Sequence, residues 1–70
     1  MNIKTLFGKN VREFREAKGW SQDKLSDESG LHRTYISGIE RGFRNPTIEI
    51  VHKVSVALQI QISDLFKEIT

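Results

Sequence analysis

Apolar side chains return at three- and four-residue spacing near the start of the chain: Phe7, Val11 and Phe14, with Lys9, Arg12, Glu13 and Glu16 between them. That period gathers the apolar set on one face of an α-helix and the charges on the other. It predicts a helix over about residues 3–18, stopped by Gly19. Ser21 stands where an N-cap belongs, and Asp23 suits the positive end of the next helix dipole. The result is a short helix over 21–29, turned sharply by Gly30 in a left-handed conformation. A third helix spans 32–41, with Tyr35, Ile36 and Ile39 on one face and Arg33, Thr34, Ser37 and Arg41 opposite. Gly42 ends it. Asn45, which precedes Pro46, is pushed away from helical angles, so "FRNP" is loop.

The stretch "TIEIVHKVSVALQIQI" reads two ways. Ile48, Val51, Val54, Ser55 and Leu58 make a helical stripe, while Val54-Ser-Val56 and Leu58-Gln-Ile60-Gln-Ile62 alternate as a strand would. Periodicity does not separate the two. Thr47, a ready N-cap after Pro46, favours a helix over 47–58. Ser63 is then placed to cap a last helix over 63–69. The expected fold class is all-α, a compact five-helix single domain over 1–70.

Seventy residues bury only ~60% of the surface their unfolded chain exposes, so stability is marginal and a partner chain is a natural supplement. Cysteine is absent, which removes disulfides and cysteine-based zinc sites. His32 and His52 make too small a set for a metal, and no cofactor is expected. The N-terminus lacks an apolar signal core, and no apolar run approaches the ~20 residues of a membrane span, so a cytoplasmic location without membrane contact is expected. No triad, carboxylate pair or phosphate loop is in view, and Glu40 has no nucleophile or oxyanion donors beside it, so an enzyme is not expected. Residues 1–44 hold nine Lys and Arg against six Asp and Glu, a surplus of three, while 45–70 hold two against three. An anionic partner therefore suits the front of the chain.

Two short helices joined by a glycine turn, the second carrying a basic, hydroxyl-rich outer face, form a helix-turn-helix pattern. The DNA major groove admits one such helix. Arg33 and Thr34 lie in its first turn, the part that reaches base edges, and Ser37 follows one turn later. Ser21 and Gln22, at the N-terminus of the preceding helix, are placed for phosphate. Arg41 and the Tyr35 hydroxyl are further phosphate candidates, the Tyr35 ring being expected in the core. Gly38, inside the third helix, costs about 1 kcal/mol relative to alanine, a cost that close approach to DNA would explain. Trp20 is assigned to the core or to an interhelical staple. Phe43 is left open between the domain, DNA and a partner subunit. Ile60, Ile62, Phe66 and Ile69 cluster late in the chain, where they can close the core or meet a second copy.

From about Leu6 to Phe66 the chain resembles the Cro and phage-repressor family of helix-turn-helix domains, the Xre-like group. The stretches that carry the likeness are "FGKNVREFREAKGWSQDKLS", "SGLHRTYISGIERGFRNPT", "VHKVSVALQI" and "ISDLF". The resemblance implies five helices and makes 47–58 the fourth. Within the family, "LHRTYISGIERGFRNPT" is most similar to controller proteins of restriction–modification systems. These are small homodimeric regulators that bind palindromic double-stranded operator DNA and control their own promoter and that of the endonuclease. The resemblance implies base contact by Arg33 and Thr34 with Ser37 and Tyr35 nearby, phosphate contact by Gln22, Arg44 and Asn45, and an ion pair between Arg15 and Glu40. A homodimer through Ile60, Ile62 and Phe66, and RNA polymerase as a further partner, belong to the same expectation. The chain departs from the family at Ser26 and Ser55, where alanine is usual, at Gln59, where glycine commonly ends the fourth helix, and at His32, where a small N-cap is typical. A phage-type repressor, an antitoxin with no toxin-binding tail after Phe66, and an interaction module without DNA binding are the competing readings.

Overall fold

The computed structural model describes residues 2–68. Four α-helices, α1 (Ile3–Ala17), α2 (Gln22–Ser29), α3 (Arg33–Glu40) and α4 (Ile48–Leu58), are followed by a 3-10 turn, Ile62–Phe66. Among the described residues there is no strand. The helix starts are set by side-chain oxygens that take up amides without an intrahelical partner: Asn2 for Thr5 at 3.0 Å, Ser21 for Lys24 at 3.0 Å and Thr47 for Ile50 at 3.2 Å. His32 occupies the same position before α3 but makes no side-chain cap. Ser26 and Ser55 each return a hydroxyl hydrogen to a backbone carbonyl, of Leu31 and His52. In that way these polar replacements of a small apolar residue are accommodated inside the packing.

Phe7, Val11, Leu25, Leu31, Ile36, Ile39, Val51, Val54, Leu58 and Leu65 form the core. α1 lies against α3 and the 3-10 turn, and α2 packs on α3 and α4. The α4 stripe is helical, with Val51, Val54, Ser55 and Leu58 buried. Ile48 departs from it: at the first position of the helix it remains 84% exposed. α4 ends at Gln59, which takes the left-handed conformation (φ 60°) without being glycine, and the Gln59 Oε1 accepts from Lys18 Nζ at 2.9 Å.

The last element corrects the expected helix over 63–69. It begins at Ile62, capped by Gln61, whose amide donates to Asp64 Oδ2 at 3.0 Å. Ser63 lies inside it, and residue 69 lies outside the described residues. The carbonyls of Leu65 and Lys67 accept hydrogen bonds from the Asn10 side chain, at 3.0 and 2.8 Å. The Lys67 ammonium and then the Gln61 amide hold the Asp64 carboxyl below its ordinary range. This cap is therefore in place from neutral pH downward and is lost only as pH falls through that lowered value.

Two contacts fix α3 on α1. Gly8 is buried where the helices cross, and a Cβ there would overlap the Ile39 carbonyl oxygen. At the far end, Arg15 meets Glu40 in a two-pronged pair, Nε to Oε2 at 2.7 Å and Nη2 to Oε1 at 2.9 Å. Their side chains are 9% and 4% exposed. The Arg15 Nη1 also donates to the Trp20 carbonyl at 2.7 Å, and Gln22 Nε2 donates to Glu40 Oε1 at 3.1 Å. The hydrogen bond to Glu40, outweighing burial, raises the Arg15 pKa above its ordinary value.

Gly8→Ala is expected to lower the melting temperature by at least ~5 °C in a calorimetric scan, because the atom it adds meets rigid backbone. Arg15→Met leaves Glu40 charged and buried without its counter-ion. It is expected to cost about 3–5 kcal/mol in urea unfolding, and a second change, Glu40→Leu, to recover a large part of that.

Candidate nucleic-acid interface

α2 and α3 meet across a turn in which Gly30 adopts φ 77°, and Ile36 and Ile39 anchor α3 in the core. This leaves Arg33, Thr34 and Arg41 exposed on the outer side, with Ser37 half-buried between them. Arg33 reaches back over the turn to α2, its Nε 3.1 Å from Asp23 Oδ1. Asp23 thus has a second role beside its place near the helix dipole.

Arg41 lies with its guanidinium 4.9 Å from the ring centre of Phe43, which is 71% exposed and does not return to the core. Arg44 lies 5.2 Å from the ring centre of Tyr35, itself half-buried against the core. Beneath Arg44 is Gly38. A Cβ at that position would come within 3.0 Å of Arg44 Cγ and Nε. The space cleared by the glycine is filled from within the chain, by the stem of Arg44 on its way to Tyr35. The loop is also tied to α3 through the Phe43 amide, which donates to the Gly38 carbonyl at 2.9 Å. Asn45, next in the chain, is exposed.

Ser21 and Gln22 both have intramolecular work. The Ser21 hydroxyl caps α2, and Gln22 supports Glu40. A glutamine amide carries two hydrogens, so the bond to Glu40 leaves one to donate. Trp20 is half-buried, packed against the core and flanked by the ammonium groups of Lys18 and Lys24 at 5.1 and 5.7 Å.

The late apolar residues divide. Leu65 is fully buried. Phe66 stacks on Phe7 with ring centres 5.5 Å apart and stays half-buried, as does Ile60, while Ile62 is exposed. Asn10 and Gly8 are the residues that sequence reasoning passes over. Asn10 was detectable as a polar residue on the same helical face as Phe7, Val11 and Phe14. Among the described residues no three His, Asp or Glu side chains gather closely enough to hold a metal ion. No helix among them is long and apolar enough to cross a membrane.

The helix-turn-helix family model HTH_3 matches residues 11–65. The control protein C.BamHI of Bacillus amyloliquefaciens is 52% identical over 65 residues, covering 91% of this chain and 80% of that one. The crystal structure of the restriction–modification controller protein C.AhdI from Aeromonas hydrophila is similar with a TM-score of 0.87 and 44% identity, over 90% of this chain and 96% of that one. The controller C.Esp1396I, solved as a tetramer with its natural 35 base-pair operator, is similar with a TM-score of 0.82 and 31% identity, over 96% and 99% of the two chains. With a match across the paired helices, their turn and the helices that support them, the chain belongs to the helix-turn-helix family.

Proposed function

We propose that the protein is a homodimeric, sequence-specific DNA-binding transcriptional regulator that reads a palindromic operator, and that it serves as an autoregulating restriction–modification controller in the cytoplasm, without catalysis. The observation that carries this reading is α3: a helix pinned from behind by Ile36, Ile39 and the Arg15–Glu40 pair, with Arg33, Thr34 and Arg41 turned outward. Such a helix meets the major groove with its first turn foremost. Similarity to C.BamHI and C.AhdI supports the controller role, and the operator-bound C.Esp1396I tetramer supports the mode of binding.

In this reading Arg33 gives two parallel hydrogen bonds to guanine, Thr34 offers its methyl or hydroxyl to a base edge, and Ser37 follows one turn on. Ser21, Gln22, Tyr35, Arg41, Arg44 and Asn45 take phosphates on either side. Ile60, Ile62 and Phe66 meet their counterparts in a second copy across an isologous interface. The two α3 helices then lie about one helical turn, ~34 Å, apart.

Selection of bound sequences from a random duplex library, at stated salt, tests the whole reading. A palindromic motif with half-sites about one turn apart is the expected result. Unselective binding that fades with salt would reduce the protein to a phosphate-bound architectural factor, and absence of binding would leave an interaction module. In a competition assay Arg33→Ala is expected to cost about 1–3 kcal/mol and relax preference at one position per half-site. Arg44→Ala should instead weaken all sequences alike and reduce the salt slope by about one. Phe66→Glu is expected to turn the dimer into monomers in sedimentation and to weaken operator binding with it.

A further inference from the structure

Asn10 sits on the core side of α1, 4% exposed, one helical turn from Phe7 and from Phe14. Its Nδ2 lies within hydrogen-bond distance of three carbonyl oxygens: Leu6 at 3.1 Å, Leu65 at 3.0 Å and Lys67 at 2.8 Å. Two amide hydrogens serve three acceptors, so one of them is shared. The first carbonyl belongs to its own helix. The other two belong to residues immediately before and after Phe66. One buried side chain thus grips the backbone on both sides of the ring that stacks on Phe7.

Among the described residues beyond α4 there are few other ties of this kind. The Gln61–Asp64 cap and the 2.7 Å Asp64–Lys67 ion pair lie within the segment itself. They set its shape and not its place on the domain. Leu65 anchors it by burial, which is non-directional and tolerates rotation and sliding. The directional fixation comes from Asn10.

We propose that Asn10 is a positioning residue for self-association: it holds residues 62–67 so that Ile62 and Phe66 are presented to a second copy in one arrangement, and through the dimer it sets operator affinity. The proposal rests on the reading that the dimer forms through Phe66. In an isologous interface the same patch appears twice, so a segment left to order itself on contact is ordered in both copies and weakens association twice over.

The test compares Asn10→Leu and Asn10→Ala with Phe66→Glu and the parent chain, each at a temperature where circular dichroism shows it folded. Two variants are used because leucine tests loss of the bonds at similar volume, while alanine leaves room for water. The expected result is a dimer dissociation constant raised roughly ten- to a hundredfold in sedimentation, with operator affinity falling in step and base preference unchanged. Joining two Asn10→Leu copies by a flexible linker should then restore operator affinity. A lowered melting temperature with an unchanged dimer constant would overturn the proposal and leave Asn10 a core bond alone, as would a loss of affinity that linkage does not restore. A dimer that survives Phe66→Glu would overturn the underlying reading of the interface, and this proposal with it. One that splits with Phe66→Glu yet is indifferent to both Asn10 variants overturns the Asn10 role only.

Discussion

The Arg15 guanidinium is the junction on which the arrangement of helices depends. It holds Glu40, at the end of α3, and the Trp20 carbonyl in the turn before α2, while Gln22 in the first turn of α2 supports the same carboxylate. A carboxylate at a helix C-terminus opposes the helix dipole, and a buried one is costlier still. Glu40 is tolerated there because a two-pronged counter-ion is already in place. Burial of such a pair seldom adds net stability compared with apolar residues. Its contribution is directional: it fixes how α1, the turn and α3 meet, which apolar contacts among Ile36, Ile39 and Val11 do not do alone. The pair is also what the first turn of α3 is levered against, at the opposite end of an eight-residue helix.

Where local chemistry decides the structure, the sequence could be read directly. Ser21 and Thr47 cap helices because a hydroxyl in that position meets an amide that would otherwise have no partner, and Gly30 turns the chain because it accepts a positive φ. The ambiguous stretch after Pro46 resolves in the same terms. Val51, Val54, Ser55 and Leu58 are buried at a helical period, and the strand-like alternation of Leu58, Ile60 and Ile62 arises where the chain leaves α4 through left-handed Gln59. What could not be read depended on residues far apart. The 3-10 turn is tied to α1 through Asn10, which bonds the carbonyl of Leu65, 55 residues away. Ile48 continues the apolar period but stands at the helix start, where no neighbour covers it. At Gly38 the stem of Arg44, six residues on, occupies the space the glycine clears, a contact that no local pattern announces.

The outer face shows a second kind of order. Arg33, Arg41 and Arg44 each rest on a neighbour, on Asp23, Phe43 and Tyr35. Exposed ion pairs and cation–π contacts of this sort contribute only about 0–1 kcal/mol each. A bidentate base contact discriminates by about 1–3 kcal/mol. The resting contacts are therefore strong enough to bias each long side chain toward a direction and weak enough to be exchanged at small cost. Behind them the backbone is held by a buried pair and a close helix crossing. A rigid frame that carries loosely tethered arginines suits the phosphate contacts proposed for this face.

α1 connects these features. On one side of its buried stripe it bears Gly8 against the Ile39 carbonyl and Arg15 against Glu40, and on the other Asn10 against the chain on both sides of Phe66. The helix thus touches both the element proposed to read DNA and the segment proposed to meet a second copy. In a chain of 70 residues without cysteine, polar side chains take the stapling role that disulfides fill in other small domains. Gly8 and Arg15 orient α3, and Asn10 orients the 62–67 segment, on one helix whose own geometry sets the distance between them. In the proposed dimer, the placement of each recognition helix relative to the 62–67 segment is then set inside the protomer, and the interface has only to fix the distance between the two half-sites.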